Sequence, residues 1–147
     1  MSRNTVKEEY CPVARSVDLL GDRWSLLIVR NAFDGMTRFG DFQRSLGVAR
    51  NILSDRLRKL VEAEILTLQG ASDGTAYQEY VLTDKGERLF PVIVALRQWG
   101  EQNLFAQGER YSLLVDRRTG RPVPFMAPAA HDGTALLPVD TEVQKIE

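Results

Sequence analysis

The chain has 147 residues, 44% hydrophobic and 27% charged, with 19 Lys and Arg, 20 Asp and Glu, one Cys and one His. That length fits one domain with a tail, the apolar share is enough for a core, wholesale disorder is excluded, and a lone thiol builds no disulfide framework. The opening MSRNTVKEEYC has no uninterrupted apolar run and no stretch approaches the roughly 18 apolar residues of a membrane span, so a cytoplasmic chain with no membrane partner is expected.

In chain order, Cys11-Pro12 puts a proline where a first helical turn tolerates it, and Val13, Val17 and Leu20 recur at helical spacing until Gly21, predicting a first helix. Asp22 is placed to cap a second, Arg23 to about Phe33, in which Trp24, Leu26, Leu27, Ile28, Val29, Ala32 and Phe33 leave almost no polar face and predict a central position. Asp34-Gly35 breaks it, and Thr37 is placed to cap a short third helix carrying Phe39, Phe42 and Leu46, closed by Gly47. A turn through Val48 and Ala49 leads into a fourth helix ending near Ala63. Leu53, Leu57 and Leu60 share one of its faces, and Arg50, Asn51, Ser54, Asp55 and Arg58 lie opposite. Ile65 to Gln69 and Tyr77 to Leu82 predict two strands around an Ala71–Gly74 turn. Thr83-Asp84 starts a last helix to about Phe105, with Pro91 predicting a kink or break near Phe90. Tyr111–Val115 and Arg121–Phe125 predict a hairpin about Asp116–Gly120, and residues 127–147, rich in Ala, Pro, Asp and Gly, predict a partly disordered tail.

Charge is unevenly spread. From Arg38 to Lys59 there are six basic and two acidic residues, a net of +4, which leaves −5 for the rest of a chain whose total is −1. A basic block alone is most often a solvated helix face. Here it lies on two helices separated by a short glycine-containing turn and followed by a hairpin. That pattern predicts a winged helix-turn-helix, mainly α with a small β-hairpin wing (α+β).

The strings Tyr10-Cys11-Pro12-Val13, Leu19-Leu20-Gly21-Asp22-Arg23-Trp24, Arg38-Phe39-Gly40-Asp41-Phe42, Leu53-Ser54-Asp55-Arg56-Leu57-Arg58-Lys59-Leu60 and Leu82-Thr83-Asp84-Lys85-Gly86 resemble the HxlR-type bacterial transcriptional regulators of the MarR-like winged-helix group. The resemblance covers about residues 10 to 105. Its main departure is Glu64, where the family usually has Gly at the helix end. It implies a homodimer in which the first and last helices interlock and two recognition helices enter successive major grooves of a palindromic operator in double-stranded DNA. The regulator is read as a repressor. Residues 1–108 are assigned to the DNA-binding and dimerisation domain and 109–147 to a C-terminal extension.

On the fourth helix, Arg50, Asn51, Ser54 and Asp55 are assigned to base or near-base contact, since Asn pairs bidentately with adenine, Arg with guanine, and Asp accepts from cytosine N4. Asp55 has a second candidate role, orienting an arginine. Arg38, Arg44, Arg58 and Lys59 are assigned to phosphate. The wing tip, Ala71-Ser72-Asp73-Gly74-Thr75, has no Lys or Arg, so a weak contribution is expected from it. Val13, Val17, Phe90, Ile93, Leu96 and Trp99 are candidates for the dimer interface, because they exceed what a three-helix core can bury.

Cys11, at the start of the first helix, is a candidate redox or electrophile sensor, with a buried capping residue as the competing reading; some members of the resembled family respond to oxidants through a cysteine there. A small apolar effector bound near Trp24, Phe90 and Trp99 is a further option, against ordinary core packing. Cys11 and His131, 120 positions apart, are the sole nucleophile and base of their kind, so no catalytic residue, metal site or cofactor is expected. The remaining alternative is a winged helix used as a dimerising protein-interaction module without DNA.

Overall fold

The computed structural model describes residues 9–71 and 73–146. Its elements run α1 (Pro12–Leu20), α2 (Arg23–Phe33), α3 (Phe39–Leu46), α4 (Arg50–Glu62), β1 (Leu66–Gly70), β2 (Gln78–Leu82), α5 (Asp84–Glu87) and α6 (Phe90–Asn103), with a 3-10 turn at Pro138–Asp140. This is the expected helical fold with a two-stranded antiparallel wing. Two compact units divide the described residues, one reaching Ile93 and taking in 145–146, the other Val94–Gln144.

In the first unit the helix boundaries follow from local chemistry. Pro12 opens α1, and the Cys11 sulfur accepts from the Ala14 N–H at 3.4 Å. Asp22 caps α2 by accepting from the N–H groups of Trp24 and Ser25, each at 3.1 Å. Thr37 does not cap α3. Arg38 holds the cap position without a side-chain bond, while the Thr37 hydroxyl donates to Glu79 Oε2 at 3.2 Å and its carbonyl accepts from the Tyr80 N–H at 2.7 Å. The wing has taken the group that the local pattern reserved for the helix. Gly47, at φ +62°, supplies the left-handed residue that turns α3 into the approach to α4.

The core joins Ile28 and Val29 of α2, Phe42 of α3, Leu53, Leu57 and Leu60 of α4, and Ile65 and Leu66 at the start of the wing. Contrary to the near all-round apolar reading, α2 buries two polar residues, Ser25 and Asn31, beside Ile28 and Val29, while Trp24, Leu26, Leu27 and Phe33 stay partly exposed. Asn31 earns its burial by donating to Ser45 Oγ of α3 at 3.1 Å and accepting from the Arg30 guanidinium at 2.9 and 3.0 Å. The break expected near Phe90 falls at Arg88–Leu89, between α5 and α6, and leaves Pro91 in the first turn of α6 where its missing N–H costs nothing.

In the second unit Gln98 is buried on α6. Its amide donates to the Pro124 carbonyl at 3.0 Å and accepts from the Met126 N–H at 2.8 Å, and Arg97 donates to the Ser112 carbonyl at 2.8 Å. The stretch expected as a hairpin pairs at a single bridge, Val115 with Pro122. Pro122 and Pro124 lack the N–H groups that a longer ladder requires. A second bridge joins Ala129 and Ala135.

The end of α4 is where this chain carries strain. Glu64 sits at φ +64°, the one described non-glycine residue in that region, while the Ile65 N–H donates to the Leu60 carbonyl at 2.9 Å and the Glu64 N–H to Val61 at 3.0 Å. A side chain in this conformation costs about 1 kcal/mol. Glu64→Gly is therefore expected to raise the unfolding free energy by about 1 kcal/mol, read as a higher urea midpoint at unchanged slope. A lower midpoint would mean that the Glu64 side chain contributes more than its backbone loses.

Candidate nucleic-acid interface

The face of α4 is set from behind. Leu53, Leu57 and Leu60 are at most 1% exposed, so Arg50, Asn51, Ser54, Arg58 and Lys59, which lie on the other side, are all exposed. Arg56 is different. Its Nε donates to Asp22 Oδ2 at 3.0 Å and its Nη1 to Asp55 Oδ2 at 2.7 Å, which ties the first turn of α2 to the middle of α4. The carboxylate that caps α2 therefore also binds α4.

Asp55 lies among three cations: Arg56, Arg58 at 2.6 Å and Lys59 at 3.3 Å. Of its two candidate roles the free chain displays the orienting one. Burial pushes its carboxyl up, but the bonds from Lys59, Arg58 and Arg56 outweigh this and hold it below the usual range. Arg58 also reaches Glu62 at 3.1 Å, and Arg44 pairs with Asp41 on its own helix. Arg50 has no carboxylate partner among the described residues. Its guanidinium lies over the Phe39 ring, 4.7 Å from the centroid.

Arg38 faces the wing. It bonds Asp73 at 2.5 Å, lies 3.9 Å from Glu79, and stacks over Tyr77 at 5.1 Å. Between α3 and the wing is an open cleft of about 670 Å³, lined by Arg38, Arg44, Arg50, Phe39, Tyr77 and Tyr80. A groove of about 530 Å³ runs on beside α4, bordered by Arg50, Ser54 and Arg58 over Val61 and Leu68. All eight residues assigned to DNA thus lie on α3, α4 or the link before α3. The sequence reading missed the aromatic walls, because Tyr77 and Tyr80 look like ordinary strand residues. It missed Asp73 too, an acid in a loop 35 positions from its arginine.

Comparison with known proteins places this geometry. The profile of the HxlR-like helix-turn-helix family matches residues 19–108, more than half of the chain. The chain belongs to that family. It is 47% identical over 92 residues to the uncharacterized HTH-type transcriptional regulator Rv3095 of Mycobacterium tuberculosis, an alignment covering 63% of this chain and 58% of that protein. The chain thus spans less than two thirds of its mycobacterial relatives. The crystal structure of PA1607, described as a candidate transcription factor, is 54% identical with a TM-score of 0.89, and covers 94% of this chain and 96% of its own. The redox regulator HypR in its reduced form is 28% identical with a TM-score of 0.58, over 64% of this chain and 94% of that one.

Within this family member, Cys11 is half-buried at the start of α1. Of the residues assigned to a dimer seam, Val13, Val17, Leu96 and Trp99 are at least 50% exposed. Phe90 and Ile93 are partly used within the chain: Phe90 tilts against Phe33 at 5.3 Å between ring centroids, and Ile93 packs on the core. No described group of His, Cys, Asp and Glu is arranged to hold a metal ion, and no described helix is long and apolar enough to cross a membrane.

Burial raises the Asp22 carboxyl, but hydrogen bonds from Ser25 and Arg56 prevail and lower it. A depressed carboxylate stabilises the fold above its unfolded pKa, and that stability is lost as pH falls through the folded value. Asp22→Ala should cost about 1 kcal/mol near pH 7, and the difference from wild type should shrink below about pH 4. Thermal unfolding at both pH values measures this; a difference independent of pH would remove the charge from the account.

Proposed function

We propose that the chain is a sequence-specific DNA-binding transcriptional regulator, a repressor, that binds a palindromic operator as a homodimer. The observation that carries this reading is the two-sided character of α4, with three leucines sealed in the core and a polar, basic face open to solvent. A helix of this width fits the major groove. Asn51 and Ser54, exposed in its first turns, are the base readers. Lys59, Arg58 and Arg44 grip phosphates, and Asp55 holds Arg58 and Lys59 in position. The working domain is 1–108, and 109–147 extends it.

Two copies are required, because one winged helix reaches few phosphates and must compete against a genome of other sites. The exposed Val13 and Val17 of α1 and Leu96 and Trp99 of α6 supply the apolar surface for that contact. The wing tip contributes weakly, as its described residues include no Lys or Arg. Such a regulator works in the cytoplasm, released by an electrophile or oxidant at Cys11 or by a small apolar effector. The likeness to HypR, a protein named for redox regulation, supports the first of these signals.

Selection of bound fragments from random duplexes yields half-site and spacing together. Affinity for the selected site should fall steeply with salt; Lys59→Ala should reduce that slope by about one, and Asn51→Ala should alter base preference at one position per half-site. Flat salt dependence would end the DNA reading in favour of a protein-interaction module. If Cys11 is the sensor, an electrophile should weaken operator binding by wild type and leave Cys11→Ser unaffected. Equal loss in both would exclude it.

A further inference from the structure

The cleft between α3 and the wing has a feature that the assignments above do not use: its arginines are already engaged, and by groups of two kinds. Aromatic rings hold them from behind. Arg38 Cζ lies 5.1 Å from the Tyr77 ring centroid and Arg50 Cζ 4.7 Å from that of Phe39, contacts that do not use the guanidinium N–H groups. A carboxylate meets Arg38 from in front. Asp73 bonds its Nη2 at 2.5 Å, from the turn at the tip of the wing, and the two side chains are one third and one half exposed. Asp73 is pre-set for this position by a local turn, in which its other oxygen accepts from the Thr75 N–H at 3.0 Å.

We propose that Asp73 is an internal stand-in for a DNA phosphate, and that the cleft of Arg38, Arg44 and Arg50 is the seat of one backbone phosphodiester, which displaces the Asp73 carboxylate from Arg38 when the duplex docks. This rests on the DNA-binding reading and deepens it. Asp73 meets Arg38 Nη2 with one anionic oxygen, its other being held by Thr75, and a phosphodiester oxygen, also anionic, can take that place on the guanidinium. The exchange is cheap because the pair is exposed, and exposed ion pairs are weak. It leaves Asp73 at the wing surface, still anchored by Thr75. The bonds from Thr75 and then Arg38 hold its carboxyl at about 2, so it stays ionised at every pH at which the protein would meet DNA. Arg50 changes role in this account. Over Phe39 and at the border of the cleft it grips backbone, and Asn51 and Ser54 are left to read bases.

The competing account makes Arg38–Asp73 a staple that holds the wing in a binding-competent position. Asp73→Asn separates the two, because an asparagine oxygen keeps the bond from the Thr75 N–H while the charge is removed. The probe is a random-sequence duplex, since a phosphate seat acts on any sequence. Displacement predicts that Asp73→Asn binds it roughly two- to fivefold more tightly at low salt, with a salt slope steeper by up to about one. In an Arg38→Ala background the same change should gain clearly less, only what removal of one repelling charge gives any duplex. Arg50→Ala should weaken binding to all sequences alike. Weaker or unchanged binding by Asp73→Asn overturns the stand-in, as does a gain of the same size without Arg38. A wild-type protein that binds no duplex at any salt overturns the regulator reading itself, so the two failures are distinct.

Discussion

The arrangement of this molecule depends on the burial of one row of leucines. Leu53, Leu57 and Leu60 take α4 into contact with Ile28, Val29 and Phe42, and each is shielded almost completely. A leucine removed from water in this way contributes about 1.5–3 kcal/mol, whereas an exposed ion pair contributes at most about 1. The comparison decides what positions what. Apolar packing fixes the axis and rotation of α4, and the ion pairs on its outer face arrange side chains on a helix already in place. Arg56 with Asp22 is the exception, since it joins two elements and ties α4 to the cap of α2.

A second constraint lies at the link before α3. Thr37 accepts from the wing backbone at Tyr80 and donates to Glu79, and the next residue, Arg38, reaches Glu79 and Asp73. Two consecutive residues thus couple the helix-turn-helix to Glu79 and Tyr80 of β2 and to Asp73 in the turn. The opposite end of the wing is fastened as firmly. The Thr83 hydroxyl and N–H both meet the Glu64–Ile65 carbonyls, and a side chain at Gly86 would collide with the Ile65 carbonyl. The hairpin is held at base and flank. Nearer its tip, Asp73 is bonded to Arg38.

The helices were legible because their signals are local. Period, a proline at the start of α1, Asp22 as a cap and Gly47 as a stop are each written within a few residues of what they control. Pairings across the chain were not. Thr37 reads as a cap until a strand 42 positions away claims its hydroxyl, and Arg56 reads as one more basic residue until Asp22 is brought to it from 34 positions upstream. The expected hairpin gave Pro122 and Pro124 no weight, and their missing N–H groups hold that stretch to one bridge. The candidate interface could be drawn up from the sequence only as a class, basic and polar residues on one helix face. Their partners were not legible, since Asp73 and Tyr77 are recruited by tertiary structure.

Those partners bear on how a chain of net charge −1 presents a surface for DNA. Asp41, Asp55, Glu62 and Asp73 each lie against an arginine or lysine of the basic face. They lower the potential that any duplex would feel at a distance, and with it the sequence-independent attraction that phosphate charge gives to every basic protein. A regulator gains from this. Its useful quantity is the ratio between its own site and the many others, and weakening the contacts common to all sites raises the share carried by base contacts, the role proposed for Asn51. The acids of α3, α4 and the wing are therefore consistent with a DNA-facing surface rather than contrary to it, provided that each can yield its cation to a phosphate. Pairing at exposed positions, as for Asp73 with Arg38, meets that condition; pairing in the interior would not, because breaking a buried pair leaves an uncompensated charge.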